Sequence, residues 1–118
     1  MTVAVKRAQE EPARNDGQRV LVDRIWPRGI ARKDLRLDGW LKELAPSSGL
    51  RKWFGHDPEK WDEFKKRYER ELEEQEKAVG ELAERAVHGR LTLVFAARDT
   101  EHNNAVALKE HLERRRRR

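Results

Sequence analysis

The stretch V-L-V-D-R-I-W-P-R-G, residues 20–29, decides how this chain folds. Val20, Leu21 and Val22 are consecutive apolar residues, the pattern of a short strand covered on both faces. Asp23, Arg24, Trp26 and Arg28 follow at once, and Pro27 and Gly29 break the element. A buried strand that ends abruptly in charge points to an α/β sheet with a ligand crevice beyond its carboxyl end.

Outward from that strand, here read as Arg19 to Ile25, the same pattern recurs. Leu91 to Ala97, L-T-L-V-F-A-A, is the clearest strand by its β-branched and aromatic content and is expected to be central. It too runs into polar residues, Arg98 to Asn104, before a last helix carrying Ala105, Ala107, Leu108 and Leu112, with Asp99 or Thr100 as its cap. Thr2 to Ala8 reads as a first strand, and Asn15-Asp16-Gly17 is a turn ahead of the second. Residues 30–35 read as a loop or one helical turn. Asp38 is expected to cap a helix bearing Trp40, Leu41 and Leu44, and a short helix follows over Ser48 to Phe54. Asp57 and Pro58 are the strongest helix start in the chain. The stripe after them, Trp61, Phe64, Tyr68 and Leu72, continues through Val79, Leu82, Ala83, Ala86 and Val87, with Gly80 marking a kink or a break.

Strands separated by helical segments predict a small single α/β domain, residues 1–113, with a short, mainly parallel sheet of about three strands and four or five helices. Both polar runs, Asp23 to Arg28 and Arg98 to Asn104, then fall at strand carboxyl ends and share one site.

Composition narrows what such a domain does. Charged residues make up 42% of the 118 and hydrophobic ones 36%, which fits solvated helices over a modest core. The absence of cysteine excludes disulfides and thiolate nucleophiles. No apolar run approaches the roughly 20 residues of a membrane span, so a cytoplasmic protein without a membrane partner is expected. The net charge of +5 comes from Arg114 to Arg118: of 27 basic residues, the remaining 22 match 22 acidic ones. Residues 114–118 read as a basic disordered tail that would meet nucleic acid only weakly.

Arg24 and Arg28 suit a bidentate clamp on a phosphate or carboxylate, the alternative being ion pairs with Asp23 or Asp99. The amide groups at the start of the last helix add a second anion-binding element, where Thr100, His102, Asn103 and Asn104 provide donors, and Arg98 joins the ligand-binding set. His102, oriented by Asp99 or Asp23, is the candidate general acid or base. Trp26 either packs or faces the ligand, and His56 reads first as a linker residue bonding nearby backbone. No spacing of ligating residues singles out a metal site, and no cofactor is indicated.

The runs V-L-V-D-R-I-W-P-R-G, W-L-K-E-L-A-P-S, L-R-K-W-F-G-H-D-P-E-K-W and A-A-R-D-T-E-H-N-N-A resemble the YeaO-like family of small bacterial proteins, a DUF488 group of unknown function, over about Arg19 to Leu112. The resemblance implies a small α/β fold with Asp23, Arg24, Trp26, Pro27, Arg28, Trp53, His56, Arg98, Asp99, His102 and Asn103 as signature residues. It implies no established reaction. A broader group similar to this family carries Asp-x-Arg with a later Pro after one strand, and Cys-His-Arg at a late helix. Here Asp23 and Arg24 are adjacent, Pro27 follows, and His102, Asn103 and Asn104 stand without the cysteine. The resulting expectation is an enzyme-like pocket for a phosphate- or nucleotide-like anion, with turnover left open. The alternative is a non-catalytic nucleic-acid-binding or regulatory module.

Overall fold

The computed structural model describes residues 1–117, with side chains through Arg115. Four strands form one sheet: β1 (Thr2–Arg7), β2 (Gln18–Leu21), β3 (Gly39–Trp40) and β4 (Arg90–Phe95). Their order is β1-β4-β2-β3 and every pairing is parallel. The fold is α/β, with one strand more than the sequence suggested. β4 is interior, as its apolar run requires, and lies between β1 and β2. Val20 stands opposite Leu93 and Leu21 opposite Val94, so the two strands bearing the polar runs are direct neighbours.

Strand alternation sends side chains to two unequal cores. Val20, Val22, Leu91, Leu93 and Phe95 face the larger one, which is closed by α2 (Ser48–Phe54), α3 (Trp61–Glu73), α4 (Glu76–Val87) and α5 (Asn104–Arg117). Leu21 and Val94 face a smaller cluster made with Ala8, α1 (Arg32–Leu35) and the half-buried Trp26, Ile30, Leu37 and Trp40. The α3 stripe buries Phe64, Tyr68 and Leu72 as its spacing dictates, each contributing roughly 1.5–3 kcal/mol of transfer free energy. The buried Tyr68 hydroxyl donates to the Leu44 carbonyl. Ser47 caps α2 by accepting the Leu50 N–H, and its own N–H and hydroxyl donate to the Glu71 carboxylate at 2.8 and 2.6 Å, fixing α2 against α3.

Four local expectations are corrected. Asp38 caps no helix: its carboxylate accepts the Arg19 N–H at 2.8 Å, and Gly39 and Trp40 pair with Val20 and Leu21 as β3. A short apolar run fits either period, and the open edge of β2 settles it. Lys42 to Leu44 form only a 3₁₀ turn. The long stripe divides at Glu74 and Gln75, leaving Gly80 inside α4, where the Arg115 guanidinium lies 3.2 Å from the position a Cβ would take. Finally, β2 ends at Leu21 rather than continuing to Ile25. Asp57 accepts the Glu59 N–H and opens a 3₁₀ turn, Pro58–Lys60, that leads into α3. α5 takes in Arg114 to Arg117 of the basic run, and Arg118 lies outside the described residues.

Candidate functional site

A cleft of about 800 Å³ opens beyond the carboxyl ends of β2 and β4. Each polar run supplies one wall. Asp23 to Arg28 line it from the β2 side and Ala96 to Asp99 from the β4 side, with Asn103 and Asn104 at the start of α5. The third wall comes from Ala45, Pro46 and the α2 segment, through Arg51, Phe54 and His56, with Phe64 behind them. Its polar groups therefore stand over an apolar floor of alanines, Pro46 and two stacked phenylalanines, whose ring centroids are 4.3 Å apart.

Asp23 is the junction of this site. Its Oδ2 accepts the Ala96 N–H at 2.9 Å and its Oδ1 the Asn104 amide at 3.1 Å, while its carbonyl accepts the Trp40 indole N–H at 2.7 Å. Asn104 also donates to the Val22 carbonyl. One carboxylate thus ties β2, β4 and α5 together. Burial pushes the Asp23 carboxyl above the usual carboxylate range, against the opposing pull of Asn104, the Ala96 N–H, Arg51 and His56.

Four arginines, Arg24, Arg28, Arg51 and Arg98, line the same cleft, and all four are exposed. Among the described residues none has a carboxylate within salt-bridge distance, so the ion pairs of Arg24 or Arg28 with Asp23 or Asp99 are not formed. Arg24 makes one long contact, 3.5 Å to the Pro46 carbonyl.

The other expected residues divide. Asp99 lines the cleft, and its carboxylate accepts the Glu101 and His102 N–H groups and meets His102 Nδ1 at 2.9 Å. Those bonds, the Glu101 N–H foremost and then the His102 ring, hold its carboxyl below the usual range. His102 does not line the cleft: its ring sets an edge against Trp61, with centroids 5.4 Å apart. Asn103 is buried, donates to the Asp99 carbonyl and accepts the Val106 N–H, so it rather than Asp99 or Thr100 caps α5. Trp26 lines the cleft but is also packed, donating to the Ile30 carbonyl at 2.7 Å and meeting Trp40 edge-on.

Arg51 and the wall position of His56 were not singled out from the residues, whereas Asn104, read as a donor at the start of the last helix, does line the cleft. Arg51 sits in an ordinary amphipathic turn, where a charged residue reads as solvated surface. His56 carries a signal visible only in the backbone: with Gly55 it adopts positive φ, 58° and 53°, a left-handed pair between α2 and the turn that leads into α3. Among the described residues no three acidic or histidine side chains gather as a metal site, and no helix is long and apolar enough to cross a membrane.

Comparison with known proteins agrees with the motifs. The family model described as "Inactive DUF488-N3 subclade" matches residues 2–118. An uncharacterised protein of Mycobacterium tuberculosis is 44% identical over 110 residues, covering 93% of this chain and 92% of the relative. YeaO of Escherichia coli is 40% identical over 112 residues, 95% of this chain and 97% of the relative. No solved structure matches the chain. With a family model spanning the chain and two such relatives of nearly equal length, the chain belongs to the YeaO-like DUF488 family.

Proposed function

We propose that the cleft beyond β2 and β4 binds a small anionic ligand and holds it without turnover. The observation that carries this reading is the set of cleft-lining arginines, Arg24, Arg28, Arg51 and Arg98, with no carboxylate partner among the described residues. Like charges gathered over a low-dielectric floor repel one another, and an anion relieves that repulsion while making charge-assisted hydrogen bonds.

Retention without turnover is supported by three features. His102, the expected acid-base group, is directed to Asp99 and Trp61 away from the cleft lining. The chain has no cysteine, and the matching family model carries the description inactive. The nucleic-acid alternative is weakened because Arg114 and Arg115 are set against Glu69 and Glu76, which lowers the positive charge left for a phosphate backbone.

Thermal stabilisation by a panel of inorganic and organic phosphates tests the reading. Stabilisation of the wild type that is lost in Arg24→Ala and Arg51→Ala supports it. Equal stabilisation of wild type and both variants removes the cleft as the binding site.

A further inference from the structure

Resting on that reading, we infer that the ligand is an organic diphosphate ester, with its two phosphoryl groups spread across the arginines and its organic body on the apolar floor. The arginines come from three separate segments: Arg24 and Arg28 from the loop after β2, Arg51 from α2, and Arg98 from the loop after β4. A guanidinium meets a phosphate as a planar two-pronged fork, so one phosphoryl group is satisfied by one or two of them. Guanidiniums on three walls exceed that demand and suit linked anionic groups.

Size and polarity point the same way. A cleft of about 800 Å³ matches pockets that enclose a drug-sized molecule rather than one inorganic ion. Apolar residues of its lining, among them Ala45, Pro46, Phe54, Phe64, Ala96 and Ala97, offer an organic group a surface to cover. Asp23 and Asp99 are the acidic residues of the lining, so the arginines outnumber them and the local balance is positive even with both carboxylates ionised. A monoanion would leave part of that charge unmatched.

Titration calorimetry at one fixed low salt concentration, with inorganic phosphate, pyrophosphate, adenosine monophosphate and adenosine diphosphate as probes, tests the inference. Pyrophosphate is expected to bind at least about tenfold more tightly than phosphate, since a second charge-assisted contact set is added. Adenosine diphosphate is expected to bind more tightly than pyrophosphate through its organic body. Arg51→Ala and Arg98→Ala should each lower diphosphate affinity about tenfold and narrow the gap between mono- and diphosphate, with the unliganded melting temperature unchanged. Equal affinity for phosphate and pyrophosphate overturns the inference while leaving anion binding intact, as does adenosine diphosphate binding no better than pyrophosphate. Binding of none of the four probes overturns the inference together with the anion-binding reading.

Discussion

Asp23 Oδ2 accepts the Ala96 N–H at 2.9 Å, so the segments just beyond two neighbouring strands are joined at the cleft. The bond supplies an acceptor where the β2–β4 ladder has ended, and Asn104 occupies the other carboxylate oxygen. Asp23→Ala would leave the Ala96 N–H and the Asn104 amide without this acceptor. A loss of about 2 kcal/mol in urea denaturation is expected. The pH dependence has a definite sign. With the folded-state pKa raised, this group's favourable contribution is present at low pH and fades as pH rises through that raised value. The stability advantage of wild type over Asp23→Ala should therefore shrink from acid to neutral pH, and a widening gap would contradict the assignment.

Asp16 shows the opposite behaviour at the other side of the sheet. Burial alone would raise its pKa, but the Ala13 N–H, Lys6 and Arg19 together outweigh burial and hold it below the ordinary value. Lys6 Nζ lies 3.1 Å and Arg19 Nη1 2.8 Å from its carboxylate, and Arg19 also donates twice to the Leu35 carbonyl. Its stabilisation is present above the unfolded pKa and is lost as pH falls through the lower folded value. Asp16→Ala, which leaves a buried guanidinium uncompensated, should cost about 3 kcal/mol at neutral pH. Asp16→Asn should flatten the acid limb of the stability curve, measured by denaturant titration across the acid range.

Two glycines with positive φ should respond differently to alanine. At Gly17 (φ 67°) a Cβ would fall inside van der Waals contact with the Arg90 backbone carbonyl, whereas at Gly29 (φ 79°) nothing lies within 4 Å. Gly29→Ala should cost only the left-handed backbone strain, about 1–2 kcal/mol. Gly17→Ala adds overpacking against an interior strand and should cost about 3 kcal/mol or more. Melting temperatures of the two variants provide the comparison, and equal losses would show that the turn before β2 yields more readily than its packing implies.

At the cleft, the geometry separates Arg51, a lining residue, from His102, which lies outside the lining. Arg51→Ala should weaken phosphate-probe binding about tenfold without changing the fold, because Arg51 is an exposed lining residue. His102→Ala should leave that affinity within about twofold, since its ring meets Trp61 and Asp99 outside the lining. Calorimetry on both variants checks this, and a reversed order would restore His102 to the site.

Sequence alone determined the parts of this protein whose signals are local. The apolar runs at Val20 to Val22 and Leu91 to Phe95 have no polar alternative, so they became neighbouring interior strands, and their abrupt polar ends placed Asp23, Arg24, Arg98 and Asp99 around one cleft. Ser48 to Phe54 formed the expected helix for the same reason, since its stripe lies within its own residues and its caps, Ser47 and Gly55, directly flank it. Tertiary structure decided what depends on a distant partner. β3 exists because Gly39 and Trp40 reach the edge of β2, and Asp38 serves that junction instead of capping a helix. The break at Glu74 and Gln75 has no glycine or proline to announce it; it lets Leu72 and Val79 enter the same core from two helices. Arg51 and His56 joined the site because α2 packs across the strand ends, and Asn103 displaced Asp99 as the helix cap because its buried amide accepts the Val106 N–H. Local patterning sets which segments are strand or helix, but the direction in which a charged side chain finally points is set by what the folded chain places opposite it.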